Sequence, residues 1–375
     1  MTSVKAAFIG FGWFAELLVT RVLGDVPELE VVAVIEKSAE RRRRAEELGL
    51  SAVQSMAELP GICDAVIVLT PHDTHRELVI EAASRGLHVF CEKAFAVSSA
   101  DCLAMIQSCS RADVVLAVGH MQKLFPTHAR AVELARAGEY GKVLAVQVSG
   151  LHWCPVMPGW WRTKDSCGGL LYWTGIHDLD TLRAITASDV TRAMAVAGPK
   201  TDEYTDYEDS IAVTLQYESG AIASMLVAEH APLRTFEESF QIAVLLERGS
   251  ILVDPGAGTV THASRLALQR STPAMHESFG SFEDLEEHAY REEFSAFARR
   301  VLSEEREADP SVEDGLRCVE TLEAIYSSLQ SGEVATVVRH PCRGGVSLAR
   351  STDQKEEDVA RVDRSDRASA VTDCG

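Results

Sequence analysis

The chain has 375 residues, with 36 basic side chains against 56 acidic ones and a net charge of -20. That length allows two domains with separate cores, and the acidic balance repels a phosphate backbone, so nucleic acid is not an expected partner. No apolar run is long enough to span a bilayer, and the amino terminus lacks the basic and apolar regions of a secretion signal, so a cytoplasmic protein with no membrane partner is expected.

From Lys5 onward, "AAFIG", "VVAVIE", "DAVIVLT", "LHVFCEK" and "VVLAVG" alternate with helical patterns. Strands this apolar on both faces belong in a parallel sheet covered by helices. The first is followed at once by Gly10-x-Gly12-x-x-Ala15, with Trp13 and Phe14 between the last two, at the start of a helix. The first glycine permits a tight turn, the second lets backbone approach a pyrophosphate, and the small third residue allows close helix packing. The helix amino terminus adds N–H groups and a partial positive charge.

The second strand ends at Glu36, where a carboxylate can accept hydrogen bonds from an adenosine ribose. The expected cofactor is therefore NAD. Lys37, Ser38 and the run Arg41 to Arg44 keep NADP open as ligands of a 2'-phosphate, the alternative being a solvated helix face. Further on, Thr74 to Glu77 has the spacing of a capping box, Gly86 stands where that helix should stop, and Ser98 or Ser99 can cap the next.

After about Lys123 the pattern changes. "KVLAVQVSG", "SIAVTLQYESGAIASMLVAE", "FQIAVLLERGSILVDP" and "TVTHASRLALQR" read as longer alternating strands joined by glycine-containing turns, hence an antiparallel sheet. "HAYREEFSAFARRVLSE" and "EDGLRCVETLEAIYSSLQSG" carry apolar residues at helical spacing. The polar end of the chain is nearly without large apolar residues. The expected organisation is an α/β Rossmann domain over residues 1–123, an α+β domain with an open, mainly antiparallel sheet over 124–340, and a disordered tail over 341–375. Nine scattered cysteines without a C-x-x-C pair suggest reduced thiols. His152, Cys154, Cys167 and His177 lack the spacing of a recognised zinc site, so no metal is expected.

"TPHDTH", "GLHVFCEKAF", "GHMQKLFP" and "GGLLYWTGIHDLD" occur in the order and spacing of the glucose-fructose oxidoreductase, inositol dehydrogenase and MocA (Gfo/Idh/MocA) family, which the chain resembles over about residues 4 to 338. The resemblance implies a Rossmann domain followed by an α+β domain that often mediates assembly, here a homodimer or homotetramer. It also implies hydride transfer between a nicotinamide and a carbinol carbon of a sugar, cyclitol or related cyclic small molecule. By the same resemblance Thr70, Pro71 and His75 lie along the cofactor groove. Glu92 and Lys93 match a Glu-Lys-Pro motif whose lysine faces nicotinamide and substrate. Ala94 replaces the proline, which leaves the family's usual cis bond open.

The family pattern Gly-Gly-x-Leu-x-Asp-x-Gly-x-His places His177 at the histidine and Trp173 at the aspartate. Lys93 and His177 are thus the expected catalytic pair. An imidazole suits proton removal from an alcohol, so His177 is assigned as acid/base and Lys93 as the donor orienting the carbinol oxygen. The reverse assignment stays open. Asp180 matches a family position, and Lys123 stands where the family often has arginine and could reach an anionic substrate group, with a surface role as its alternative.

Trp153, Trp160, Trp161 and Trp173 lie within twenty-one residues, either as core or as a flat apolar wall for a ring, with Arg162 nearby for a carboxylate. The wall reading adds a second possibility, a dehydrogenase of a ring dihydrodiol or hemiacetal from aromatic breakdown. The replacements at Ala94 and Trp173 add a third, a non-catalytic nucleotide-binding sensor or scaffold.

Overall fold

The structure, a computed structural model, describes residues 3–151, 159–201, 204–229, 240–269, 272–303 and 310–342. Trp153, His152, Cys154 and residues 343–375 of the expected tail lie outside the described residues.

Six parallel strands form the first sheet: β1 (Val4–Ile9), β2 (Leu29–Ile35), β3 (Ser51–Val53), β4 (Ala65–Val68), β5 (His88–Cys91) and β6 (Leu116–Val118), in the order β3-β2-β1-β4-β5-β6. The chain runs outward from β1 to one edge and resumes on the other side of β1, which opens a crevice beyond the carboxyl ends of β1 and β4. Ala6, Ala7 and Phe8 have no exposed surface, so both sides of β1 are covered. On one side Ala7, Ile9 and Val66 share a core with Val79 and Ala82 of α3 (His75–Ser84) and Met105 of α4 (Ser99–Arg111).

The other side is completed from far along the chain. Phe8 and Phe90 cluster with Phe294 and Phe297 of α8 (Phe282–Leu302), the Phe90 ring lying 4.8 Å from Phe294 and 5.6 Å from Phe297. Ser98 caps α4 by accepting the Asp101 N–H. The expected cap at Thr74 does not form. Thr74 itself has helical backbone angles, and its hydroxyl donates back to the Pro71 carbonyl at 2.7 Å instead of accepting from the helix.

The second sheet has nine strands: β7 (Val143–Leu151), β8 (Val190–Ala197), β9 (Ser210–Tyr217), β10 (Ile222–Ala228), β11 (Phe240–Leu246), β12 (Gly249–Asp254), β13 (Thr259–Ser264), β14 (Met275–Ser278) and β15 (Ala335–Thr336). Their order is β14-β13-β12-β11-β7-β10-β9-β8-β15; β7 and β10 run parallel, and the other neighbouring pairs antiparallel. Burial alternates along β9, with Ile211, Val213 and Leu215 inside and their neighbours out, so one face meets a core and the other is open.

The inner face packs on α5 (Pro126–Arg136), α7 (Ile176–Thr186) and α9 (Pro310–Ser331). "TVTHASRLALQR" was expected to be strand throughout, but from Arg265 to Gln269 it is helical, in keeping with the helix-forming Arg, Leu, Ala and Gln there. Among the described residues the cysteines are free, no cluster of His, Cys, Asp and Glu could hold a metal ion, and no helix is long and apolar enough to cross a membrane.

Candidate active site

A cleft of about 920 Å³ begins at the carboxyl ends of β1, β2, β4 and β5 and continues to the segment Gly159–Arg162, the turn Leu171–Gly175 and the start of α7. Gly10, Gly12, Trp13, Phe14, Ala15, Glu36, Lys37, Arg41, Thr70 and Pro71 line one half. Glu92, Lys93, Trp161, Trp173 and His177 line the same cleft.

The first half is shaped by close backbone approach. Gly10 has φ +91°, and a Cβ there would fall 2.9 Å from Thr70 Cγ2 and 3.1 Å from the Leu69 carbonyl oxygen. Gly12 has nothing within 4 Å of its Cβ position, so its backbone faces open space at the start of α1 (Trp13–Leu17). Glu36 is buried, with Oε2 accepting the Phe11 N–H at 2.9 Å and Oε1 accepting the Ser38 N–H at 2.7 Å. The carboxylate thereby ties the glycine turn to the end of β2. The arginines divide: Arg41 reaches to within 3.9 Å of Glu36, Arg42 donates to the Glu36 and Lys37 carbonyls, and Arg44 pairs with Glu16.

In the other half, Lys93 follows β5, and the Lys93–Ala94 peptide is cis. Its ammonium donates to the Trp173 carbonyl oxygen at 2.6 Å. Burial lowers the Lys93 pKa, opposed by the Glu92 charge, and pushes Glu92 up to about 7 against the pull of Lys93. Glu92 accepts the Lys93 N–H at 3.1 Å and sits against Gly119, whose Cβ position is 2.9 Å from its Oε1.

Leu171–Gly175 is a π-helical turn that runs into α7, an irregularity frequent at functional sites. It carries Trp173 and is followed by His177. His177 Nδ1 is buried with no hydrogen-bond partner among the described residues, and burial, then the Lys93 charge, then His120 and His128 hold its pKa well below the ordinary histidine range. The imidazole is neutral at physiological pH. Behind it, Asp178 is pushed up to about 8 by burial, offset by the Gln122 amide that donates to it at 3.4 Å.

The rings form a continuous series. Trp161 stacks on Trp173 with centroids 5.4 Å apart and planes at 19°; Trp160 meets Trp161 edge-on at 5.3 Å, and His72 meets Trp160 at 4.8 Å. Of the four clustered tryptophans, three thus face one cleft.

Other expected residues stand elsewhere. His75 does not line the cleft: it is fully buried, with its ring nitrogens at 2.9 Å from the Thr70 and 3.2 Å from the Phe95 carbonyl oxygens, so it supports the loop that does. Lys123 pairs with Asp180 at 3.2 Å and with Asp314. Burial would lower its pKa, but these carboxylates raise it, so the ammonium is held inside the protein rather than offered to an anion. Asp180 is spent on the same contact. Arg162 is exposed beside the Tyr204 ring, 5.9 Å from its centroid.

Residues not anticipated from the sequence also line the cleft. His72, Met121 and Tyr290 are among them. His72 Nδ1 lies 2.8 Å from the Cys167 carbonyl oxygen, a contact that bridges the two sheets' domains. Tyr290 comes from α8 and touches Phe14. The "TPHDTH" string holds both His72 and His75, and of the two it is His72 that lines the cleft.

The family model described as "Oxidoreductase family, NAD-binding Rossmann fold" matches residues 4–120, and that described as "GFO/IDH/MocA C-terminal domain" matches residues 128–252. The chain belongs to the Gfo/Idh/MocA oxidoreductase family. Among curated Gfo/Idh/MocA-like relatives, the 2,7-anhydro-N-acetylneuraminate hydratase of Escherichia coli (strain K12) is 29% identical over 59% of this chain and 61% of its own length. The scyllo-inositol 2-dehydrogenase (NAD(+)) of Bacillus subtilis (strain 168) is 27% identical over 69% of this chain and 75% of its own. The match spans only about three fifths of the length of the first such relatives, 61% in each case. Levoglucosan dehydrogenase, solved with NADH and levoglucosan, shares the fold with TM-score 0.78 at 17% identity, covering 90% of this chain and 100% of that one.

Proposed function

We propose that the chain is a nicotinamide-dependent oxidoreductase that moves a hydride between the cofactor and a secondary alcohol or ketone of a cyclic small molecule. The observation that carries this is one cleft holding both the Gly10–Glu36 end and the Lys93–His177 end. The similarity to a scyllo-inositol 2-dehydrogenase (NAD(+)) supports it. The donor set fits a dinucleotide. Gly12 offers exposed backbone for a pyrophosphate, α1 presents its amino terminus, and the buried Glu36 carboxylate is placed for a ribose diol and against a 2'-phosphate, so NAD is preferred to NADP. A bound nicotinamide supplies the hydride acceptor or donor.

The chain's own residues supply the rest. Lys93 donates a hydrogen bond to the carbinol oxygen and stabilises negative charge on it, and its contact with the Trp173 carbonyl fixes its reach. His177, neutral because of burial and the nearby ammonium, takes the hydroxyl proton and returns it in the reverse direction. The tryptophans line this end of the cleft with apolar ring surface. The open sheet face supports assembly as a homodimer or homotetramer. Titration with NAD and NADP, followed by NADH formation on cyclic alcohols, tests the reading. A protein that binds neither nucleotide refutes it.

A further inference from the structure

The Leu171–Gly175 turn carries the Trp173 carbonyl that accepts from Lys93, and it runs directly into the helix that bears His177, so its position sets both groups. A helical turn begins with N–H groups that no residue of the turn itself can accept. Leu170 and Leu171 have no exposed surface, so water does not reach theirs. Two side chains from distant segments take them. Glu208, just ahead of β9, accepts the Leu170 N–H at 3.2 Å, and Tyr326 of α9 accepts the Leu171 N–H at 3.2 Å while its hydroxyl donates to the same Glu208 oxygen. Burial, then the Glu208 charge, pushes the Tyr326 hydroxyl well above the ordinary tyrosine range, so it stays a donor.

The backbone is shaped to admit this pair. Gly169 has φ +116°, and a Cβ there would fall 2.9 Å from Tyr326 Cζ and 3.3 Å from Glu208 Oε1. The Tyr326 ring is held in turn: it stacks on Tyr172 with centroids 5.7 Å apart and planes at 26°, and the Lys164 ammonium lies 4.5 Å from its centroid. Neither Glu208 nor Tyr326 lines the cleft. We infer that Tyr326, together with Glu208, is a positioning residue of the site: it holds the Leu171–Gly175 turn and so fixes how Lys93 and His177 stand to the reacting carbinol. This rests on the oxidoreductase reading and deepens it.

The test compares Tyr326→Phe, Glu208→Gln and Ser328→Ala in the full chain. Tyr326→Phe keeps the ring stack but leaves the Leu171 N–H without its acceptor, and Glu208→Gln keeps an oxygen for both donors. Ser328→Ala removes two other hydrogen bonds of α9, from the Ala195 N–H of β8 at 3.1 Å and to the Glu333 carbonyl at 2.6 Å. Amide hydrogen exchange over residues 168–180 should quicken about tenfold or more in Tyr326→Phe and stay near the unaltered rate in the other two. With NAD and whichever of an inositol and a vicinal cyclohexanediol the unaltered protein oxidises, Tyr326→Phe should lower kcat about 10- to 100-fold, while the NAD dissociation constant stays within a few-fold. The acid limb of kcat/KM should move up toward about 6.5 as His177 loses burial and the adjoining Lys93 charge, which a loss of folded protein alone does not cause. Unchanged exchange in Tyr326→Phe overturns the inference, and so does quicker exchange with kcat and the limb unchanged. An equal fall in kcat and shift of the limb in Ser328→Ala also overturns it, by reducing the effect to the general stability of α9. Failure of the unaltered protein to oxidise either alcohol refutes the oxidoreductase reading and the catalytic consequence with it, while the exchange rates decide separately whether Tyr326 holds the turn.

Discussion

Glu36 joins stability to cofactor choice, and Glu36→Ala separates them. The substitution removes the acceptor of two N–H groups, that of Phe11 at 2.9 Å in the interior and that of Ser38 at 2.7 Å nearer the surface. A buried donor left unpaired costs about 1–3 kcal/mol, while the Ser38 N–H can recover water and loses only the net bond of about 0.5–1.5 kcal/mol. The sum is about 2–4 kcal/mol, which at roughly 2–4 °C per kcal/mol lowers the melting temperature on the order of 10 °C. Loss of a charged ribose acceptor costs a further 1.5–3 kcal/mol or so in binding, about 10- to 100-fold in the NAD dissociation constant. NADP, relieved of a repelling carboxylate, should lose little or gain. Glu36→Gln keeps one acceptor and removes the charge, so it should melt closer to the unaltered protein while showing the same change in nucleotide preference. Thermal melting and NADH and NADPH fluorescence titrations read both effects. Glu36→Ala melting at the wild-type temperature, with an unchanged ratio of the two affinities, would refute the reasoning.

Lys93→Met should lower turnover by about 10²–10³-fold while leaving the nucleotide dissociation constant within a few-fold, measured by steady-state kinetics and titration. Because burial and the Lys93 charge hold His177 well below the ordinary histidine range, its base form persists as pH falls, and the acid limb of kcat/KM should lie below about 6.5. A limb centred at the ordinary value contradicts the assignment of His177 as the base. Gly119→Ala places a methyl 2.9 Å from Glu92 Oε1, and should cost about 1–3 kcal/mol in denaturant unfolding and reduce turnover by displacing the support of Lys93. Asp178 is raised in the fold from 3.8 to about 8, so the folded state holds a proton the unfolded chain releases, and stability falls as pH rises through that window. Asp178→Asn should flatten the slope of unfolding free energy against pH over the same range, and an unchanged slope would count against the buried neutral carboxyl.

The parallel sheet was readable because its strands are apolar on both faces, and the second sheet because β9 and β10 alternate with a period of two. The glycine turn was readable because a positive φ at Gly10 and close contact with Thr70 leave no room for a side chain. Other features rest on contacts between distant residues and leave no local trace. Lys123 looked like a cleft cation, but its partner Asp314 is 191 residues away. His72 meets the Cys167 carbonyl of α6 (Lys164–Cys167), a partner 95 residues away. The tryptophan cluster could be read as core or as wall because spacing alone does not say which face of the Leu171–Gly175 turn meets the cleft.

Helix α8 has a consequence for how the protein is made. Phe8 and Phe90 lie under Phe294 and Phe297, so part of that apolar side of the first sheet, beyond what Leu18 and Val22 cover, stays open until some two hundred residues beyond Phe90 have left the ribosome. Tyr290 on the same helix also lines the nucleotide cleft. Synthesis of the first domain therefore does not finish its core or its cleft. The nascent chain must carry a sticky half-built sheet through the whole translation of the second domain, and a truncation anywhere before α8 leaves that surface permanently open to aggregation.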